Sequence, residues 1–104
     1  MGLLSPDHIA DSLGALEGWS LDGKAITKSF TFQDFPGAVL FVSALVPGAE
    51  DAAHHPDIEI HYRRVTLRYT THDEGGLTQK DLDGAAMANA VAASLPHLEE
   101  FGDG

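Results

Sequence analysis

Asp57-Ile58-Glu59-Ile60-His61-Tyr62-Arg63-Arg64-Val65-Thr66-Leu67-Arg68-Tyr69-Thr70 is the stretch that decides the fold. Apolar and polar residues alternate on both sides of Arg63-Arg64, the period-two pattern of strands buried on one face. Ile58, Ile60 and Tyr62 are expected to face inward, and His61 outward. The two arms match in length, so they read as an antiparallel hairpin of Asp57–Tyr62 with Val65–Thr70. Arg-Arg is poor chemistry for the two-residue primed turn that would join them. Such a hairpin has one consequence for chemistry. The end near Thr70-Thr71-His72 returns beside the start near Pro56, so His72 is expected to approach His54-His55.

Working outward, Trp19 to Leu21 reads as a short strand and Asp22-Gly23 as a hairpin signal. Lys24 to Phe32 follows as a strand with Ile26, Lys28, Phe30 and Phe32 on one face. Lys28 interrupts that apolar face, which suggests a position near a sheet edge. Ser5-Pro6-Asp7 opens a first helix, with Ile9, Leu13 and Leu16 as its apolar stripe. A second helix starts at Gln33 or Asp34. It is apolar round most of its circumference, with Phe35, Val39, Val42 and Val46 on one face and Phe41 and Leu45 beside it, and is expected to run to Pro47-Gly48 as the core helix. A loop over Ala49 to Pro56 would follow. After Gly75-Gly76, Thr78-Gln79-Lys80-Asp81 is a capping-box variant, and the third helix runs to about Leu95. Leu82, Ala86 and Ala90 make one stripe of it, and Met87, Val91 and Leu95 another. The order α-β-β-α-β-β-α predicts an α+β two-layer sandwich, a four-stranded antiparallel sheet with helices on one face. Its second face must be polar or covered, and another subunit is a plausible cover.

The chain has 104 residues, 43% hydrophobic and 21% charged, and reads as a single domain over 1–104 with a frayed, solvated tail at 99–104. It has no cysteine, which excludes a disulfide scaffold, a zinc–thiolate finger and a thiol nucleophile. Lys and Arg number 6 against 16 Asp and Glu, and neither half is basic. Nucleic-acid and anionic-membrane partners are therefore disfavoured, since both rest on basic side chains. No run of about 18 apolar residues is present to span a bilayer. Met1 to Asp11 does not read as a secretory signal, and the expected address is the cytoplasm.

Histidine is the informative residue type, because it alone titrates near neutrality without help. Of the 6 histidines, His54, His55 and His72 converge under the hairpin reading. His8 and His97 are expected at the surface, and Trp19 and Tyr62 as core aromatics. Pro56 holds His55 extended, so His54 and His55 point to opposite sides. Glu50 would share a face with His54 if the second helix continued past Gly48. Two other readings compete with an acid–base site. One is a solvated polar loop with incidental histidines. The other is a zinc site, but adjacent histidines on an extended segment diverge and the carboxylates follow no recognised ligand spacing. No metal is therefore expected.

Glu50, three residues, His54-His55-Pro56, five residues, Tyr62, nine residues, His72, eight residues, Asp81: at every spacing this resembles the pterin-4a-carbinolamine dehydratase family. Gly18-Trp19, Phe30-Thr31-Phe32-Gln33-Asp34-Phe35, Thr71-His72-Asp73 and Gly76-Leu77-Thr78 look familial too, and the likeness covers roughly residues 4–95. The resemblance implies dehydration of a 4a-hydroxytetrahydropterin to a quinonoid dihydropterin, with no cofactor. It implies a catalytic set of His54, His55 and His72, with His54 and His72 as the acid–base pair and His55 also orienting the pterin. Glu50, Thr70 and Thr71 would contact substrate, Glu50 otherwise holding a histidine, and Asp81 would support the site. It further implies a homo-oligomer, dimer or tetramer. The alternative within the same fold is a non-catalytic dimerisation or assembly factor or a transcriptional coactivator. Ala53 departs from the acidic residue common before the paired histidines, and the Arg63-Arg64 turn is unusual.

Overall fold

The structure is a computed structural model that describes residues 2–95; His97 and the 99–104 tail lie outside the described residues. Its elements are α1 (Pro6–Ala15), β1 (Ser20–Asp22), β2 (Ala25–Thr31), α2 (Phe35–Ala52), β3 (Asp57–His61), β4 (Arg64–Tyr69), a 3-10 turn (His72–Glu74) and α3 (Gln79–Ala93). The four strands form one antiparallel sheet in the order β1-β2-β4-β3. The α+β expectation holds.

Period-two alternation sorts the sheet's faces. Ile26, Phe30, Val65, Leu67 and Tyr69 point to the helices and are buried. The opposite face carries Thr27, Ser29, Thr66 and Arg68, and the Ser29 and Thr66 hydroxyls hydrogen-bond across it at 2.8 Å. That face is polar in its own right. On the helix side, Phe41 of α2 sits 4.8 Å from the Phe30 ring centroid and 4.9 Å from Phe32. Buried aromatic contact of this kind makes Phe41 the centre of the core.

Several expectations shift. Lys28 lies on β2, an inner strand and not an edge. Its ammonium is 4.4 Å from the Phe30 ring centroid and donates to the Glu17 carbonyl and Asn89 Oδ1, which satisfies it on an apolar face. The α2 helix runs through Pro47 to Ala52, so the loop shrinks to residues 53–56. Pro47 and Ser43, four residues earlier, are both exposed, so the carbonyl that Pro47 cannot bond lies on the solvent side. The buried stripe of α2 is Ala38, Phe41, Leu45 and Ala49, while Phe35, Val39 and Val46 face outward. In α3, Ala85, Ala88 and Ala92 are buried in place of Ala86 and Ala90.

The β3–β4 hairpin forms with Ile58 opposite Leu67 and Ile60 opposite Val65. The turn is Tyr62-Arg63, one residue earlier than expected, and Tyr62 takes a left-handed φ of 57° there. Both registers keep the same residues facing the helices, so alternation cannot distinguish them. Ile58 and Ile60 share the core-facing side but stand on an edge strand beyond helix cover, and they remain 40% and 38% exposed. Tyr62, in the turn, is 67% exposed and is not a core aromatic. Trp19 is buried as expected, and His61 faces outward beside Glu59.

Phe41→Ala should lower unfolding free energy by about 3–5 kcal/mol, measured by chemical denaturation.

Candidate active site

Helix α2 ends because Ala53 turns left-handed, at φ 52° and ψ 40°. The Ala53 and His54 N–H groups close back on the Glu50 and Ala49 carbonyls. The turn carries His54 off the helix face that holds Glu50. His54 enters the interior, and His55, held extended before Pro56, stays at the surface. Glu50 therefore pairs with His55 and not with His54: its Oε2 is 2.6 Å from His55 Nε2, both side chains being exposed.

His54 is paired inward. Its Nε2 lies 2.6 Å from Oδ1 of Asp81, whose side chain is 0% exposed. The Asp81 carboxylate accepts two further hydrogen bonds at Oδ2, from the Thr71 hydroxyl at 2.8 Å and the Thr78 N–H at 2.9 Å. The Thr78 bond is the acidic half of the capping box read in the sequence. Because the Thr71 hydroxyl donates to Asp81, the Thr78 hydroxyl 2.8 Å away donates to Thr71. A buried carboxylate needs such donors, since an unpaired charge in the interior is costly.

The hairpin brings the third histidine in. Beyond Tyr69 the chain forms a bridge between Thr71 and Gly76, and His72 opens the short 3-10 turn between them. Ala53, His54, His55, Thr70, Thr71, His72, Asp73 and Lys80 line one cavity of about 260 Å³. The convergence of His72 with His54-His55 is thus realised. Thr71 contributes differently from expectation. Its N–H is spent on Gly76, its carbonyl on Glu74 and Gly75, and its hydroxyl on Asp81. It braces the cavity and keeps no donor for a ligand. The Thr70 hydroxyl donates to the Lys24 carbonyl at 2.6 Å, so it too is already engaged. Tyr62 lies at the far end of the hairpin, outside the cavity lining. Among the described residues, no group of three His, Cys, Asp or Glu side chains is arranged to hold a metal ion.

Sequence reasoning passed over Tyr69, Lys80 and Asp73. Tyr69 had a signal: alternation places it inward at the last position of β4, beside Thr70. Its ring stacks on His54 with centroids 5.9 Å apart and planes at 19°. Burial, and then the negative charge of Asp81, push its phenol up to about 12 from 10.0.

The chemistry of the arrangement is readable from these contacts. With the Asp81 carboxylate accepting from Nε2, a neutral His54 carries its proton there, and Nδ1 is left to accept one. The carboxylate also stabilises the imidazolium that would form, as in other Asp–His pairs. Near it lie a second imidazole, His72, and a third, His55, braced by Glu50. Two proton-transfer groups on separate segments, His54 after α2 and His72 after β4, suit a reaction that removes one proton and delivers another.

Comparison with known proteins points to one family. The family model for pterin 4 alpha carbinolamine dehydratase matches residues 2–91. A relative from Thermosynechococcus vestitus, provisionally named a pterin-4-alpha-carbinolamine dehydratase, is 48% identical over 89 residues, 86% of this chain and 94% of its own. One from Roseiflexus sp., named in the same provisional way, is 49% identical over 88 residues, covering 85% and 95%. The crystal structure of a transcriptional coactivator/pterin dehydratase from Brucella melitensis superposes with a TM-score of 0.84 at 39% identity, over 88% of this chain and 99% of that one. A pterin dehydratase-like protein identified as a RuBisCO assembly factor in the alpha-carboxysome gives 0.64 at 25% identity, over 75% and 93%.

The raised Tyr69 phenol predicts a pH effect. An acid harder to ionise in the folded chain leaves stability intact below its unfolded value of 10.0 and withdraws it as pH rises toward about 12. Stability should fall by roughly 2–3 kcal/mol over that window in the wild type, and Tyr69→Phe should abolish this component. Chemical denaturation at stepped alkaline pH measures both. With the family model matching residues 2–91 and these relatives beside it, the chain belongs to the pterin-4-alpha-carbinolamine dehydratase family.

Proposed function

We propose that this protein dehydrates a 4a-hydroxytetrahydropterin to the quinonoid dihydropterin and water. The observation that carries the reading is the His54 imidazole, held by buried Asp81 and sharing a cavity with His72 and His55. The reaction breaks the bond from the carbinol carbon to its hydroxyl and forms a C=N bond to the neighbouring ring nitrogen. One proton leaves that nitrogen and one joins the departing hydroxyl, so the products balance as dihydropterin and one water. His54, with Nδ1 free to accept and Asp81 behind it, is the base. His72 is the acid, delivering a proton to the hydroxyl. His55, braced by Glu50, orients the pterin, and the Thr70 backbone meets its edge. In this role the enzyme returns an oxidised pterin, left by hydroxylase turnover, to a form that can be reduced again.

We further propose that the working unit is a homo-oligomer. The exposed apolar residues Phe35, Val39 and Val46 on α2 support this, as do Ile58 and Ile60 on the uncovered edge strand. The same features favour a second reading, a non-catalytic assembly or coactivator role, which the names of the two structural relatives make concrete.

The deciding assay follows dehydration of 4a-hydroxytetrahydropterin, generated in place, by ultraviolet absorbance. The wild type should accelerate it. His54→Ala and His72→Ala should each lower kcat by about 10²–10⁴-fold. His55→Ala should raise KM more than it lowers kcat. A folded wild type that gives no acceleration would sink the enzyme reading and favour the second. Sedimentation should give a dimer or tetramer, and Val39→Asp with Ile60→Lys should shift it toward monomer; a monomeric wild type would refute the oligomer.

A further inference from the structure

Tyr69 stands where the core meets the cavity. Its ring is 5.9 Å from Trp19 at 46° on the core side, and 5.9 Å from His54 at 19° on the site side. The side chain is 1% exposed. On α3 the ring lies against Gly84, where an added Cβ would stand 2.5 Å from Cε1 and 2.6 Å from Cζ. That distance is far inside van der Waals contact, so only glycine lets the helix backbone come this close. Three elements therefore clamp one ring: β4, which bears it, the Trp19 segment, and α3. The hydroxyl has no hydrogen-bond partner among the described residues. A buried hydroxyl without a partner costs stability and invites an explanation. The ring accounts for the residue where the hydroxyl does not.

We propose that Tyr69 is a positioning residue for His54: its clamped ring is the wall that fixes the imidazole plane, so that Nε2 meets Asp81 and Nδ1 serves the cavity. The inference rests on the dehydratase reading for its kinetic part and on geometry alone for the rest. A hydrogen bond to Asp81 holds one atom of the imidazole, and a turn of the ring about its Cβ–Cγ bond breaks it. A parallel ring at stacking distance removes this rotation. Because the phenol stays neutral to high pH, the wall adds no second negative charge beside the Asp81 carboxylate. Gly84 is the second half of the device, since any side chain there would push the ring out of its seat.

The test reads His54 directly, by long-range proton–nitrogen NMR of the imidazole in wild type, Tyr69→Phe and Tyr69→Leu. Wild type and Tyr69→Phe should show one tautomer, protonated at Nε2. Tyr69→Leu, folded by circular dichroism, should show exchange between tautomers. In the dehydration assay its kcat should fall about tenfold or more with KM little changed, and Tyr69→Phe should keep both. If Tyr69→Leu does not fold, Gly84→Ala displaces the ring and gives the same readout. A folded Tyr69→Leu or Gly84→Ala with the wild-type tautomer and, where activity exists, wild-type kcat would overturn the proposal. A wild type without dehydratase activity whose tautomer still depends on Tyr69 would overturn the dehydratase reading and uphold the positioning role.

Discussion

The Asp81 carboxylate is the interaction on which the site depends. It has no solvent exposure, and a charge in that position persists only with donors around it. It has three: the His54 ring, the Thr71 hydroxyl and the Thr78 N–H. They come from the loop after α2, the segment after β4 and the cap of α3. One carboxylate thus fastens the start of α3 to the two segments that bear the histidines. Loss of any donor would leave buried charge partly unmet, so the three segments are held in common.

The rest of the architecture delivers those segments to Asp81. The β3–β4 hairpin brings Thr70 to His72 back beside the chain that precedes β3. The left-handed turn at Ala53 divides the paired histidines, His54 going inward and His55 outward to Glu50. The aromatic cluster of Trp19, Phe30 and Phe41 holds Tyr69 from behind. A core of modest size therefore also serves as the backing of the cavity.

Much of this was legible in the residues because the signals were local. Alternation in β3 and β4 and the Thr78–Asp81 cap spacing each depend on neighbours in sequence. The convergence of His72 on His54 followed from the hairpin alone. What escaped depended on position in space. Pro47 looked like a helix stop, and nothing local says that its unbonded carbonyl faces water. Ile58 and Ile60 showed an inward pattern, but a strand's place at the sheet edge is set by topology, so their exposure was hidden. The hairpin register differed by one turn position because both choices keep the same faces. Glu50 was placed beside His54 by helical spacing, and the left-handed Ala53 sends it to His55. Tyr69 was passed over as a site residue because the imidazole stacked on it arrives from a segment fourteen or more residues earlier.

The measurement that tests the account most directly is the dehydration rate of a 4a-hydroxytetrahydropterin with wild type and Asp81→Asn, both confirmed folded by circular dichroism. An amide at this position removes the charge and can present a donor to Nε2, which reverses the His54 tautomer. The account predicts acceleration by the wild type and a loss of about 10²-fold or more in kcat for the variant. An Asp81→Asn protein as fast as the wild type would contradict it, because His54 would then need no buried carboxylate to act.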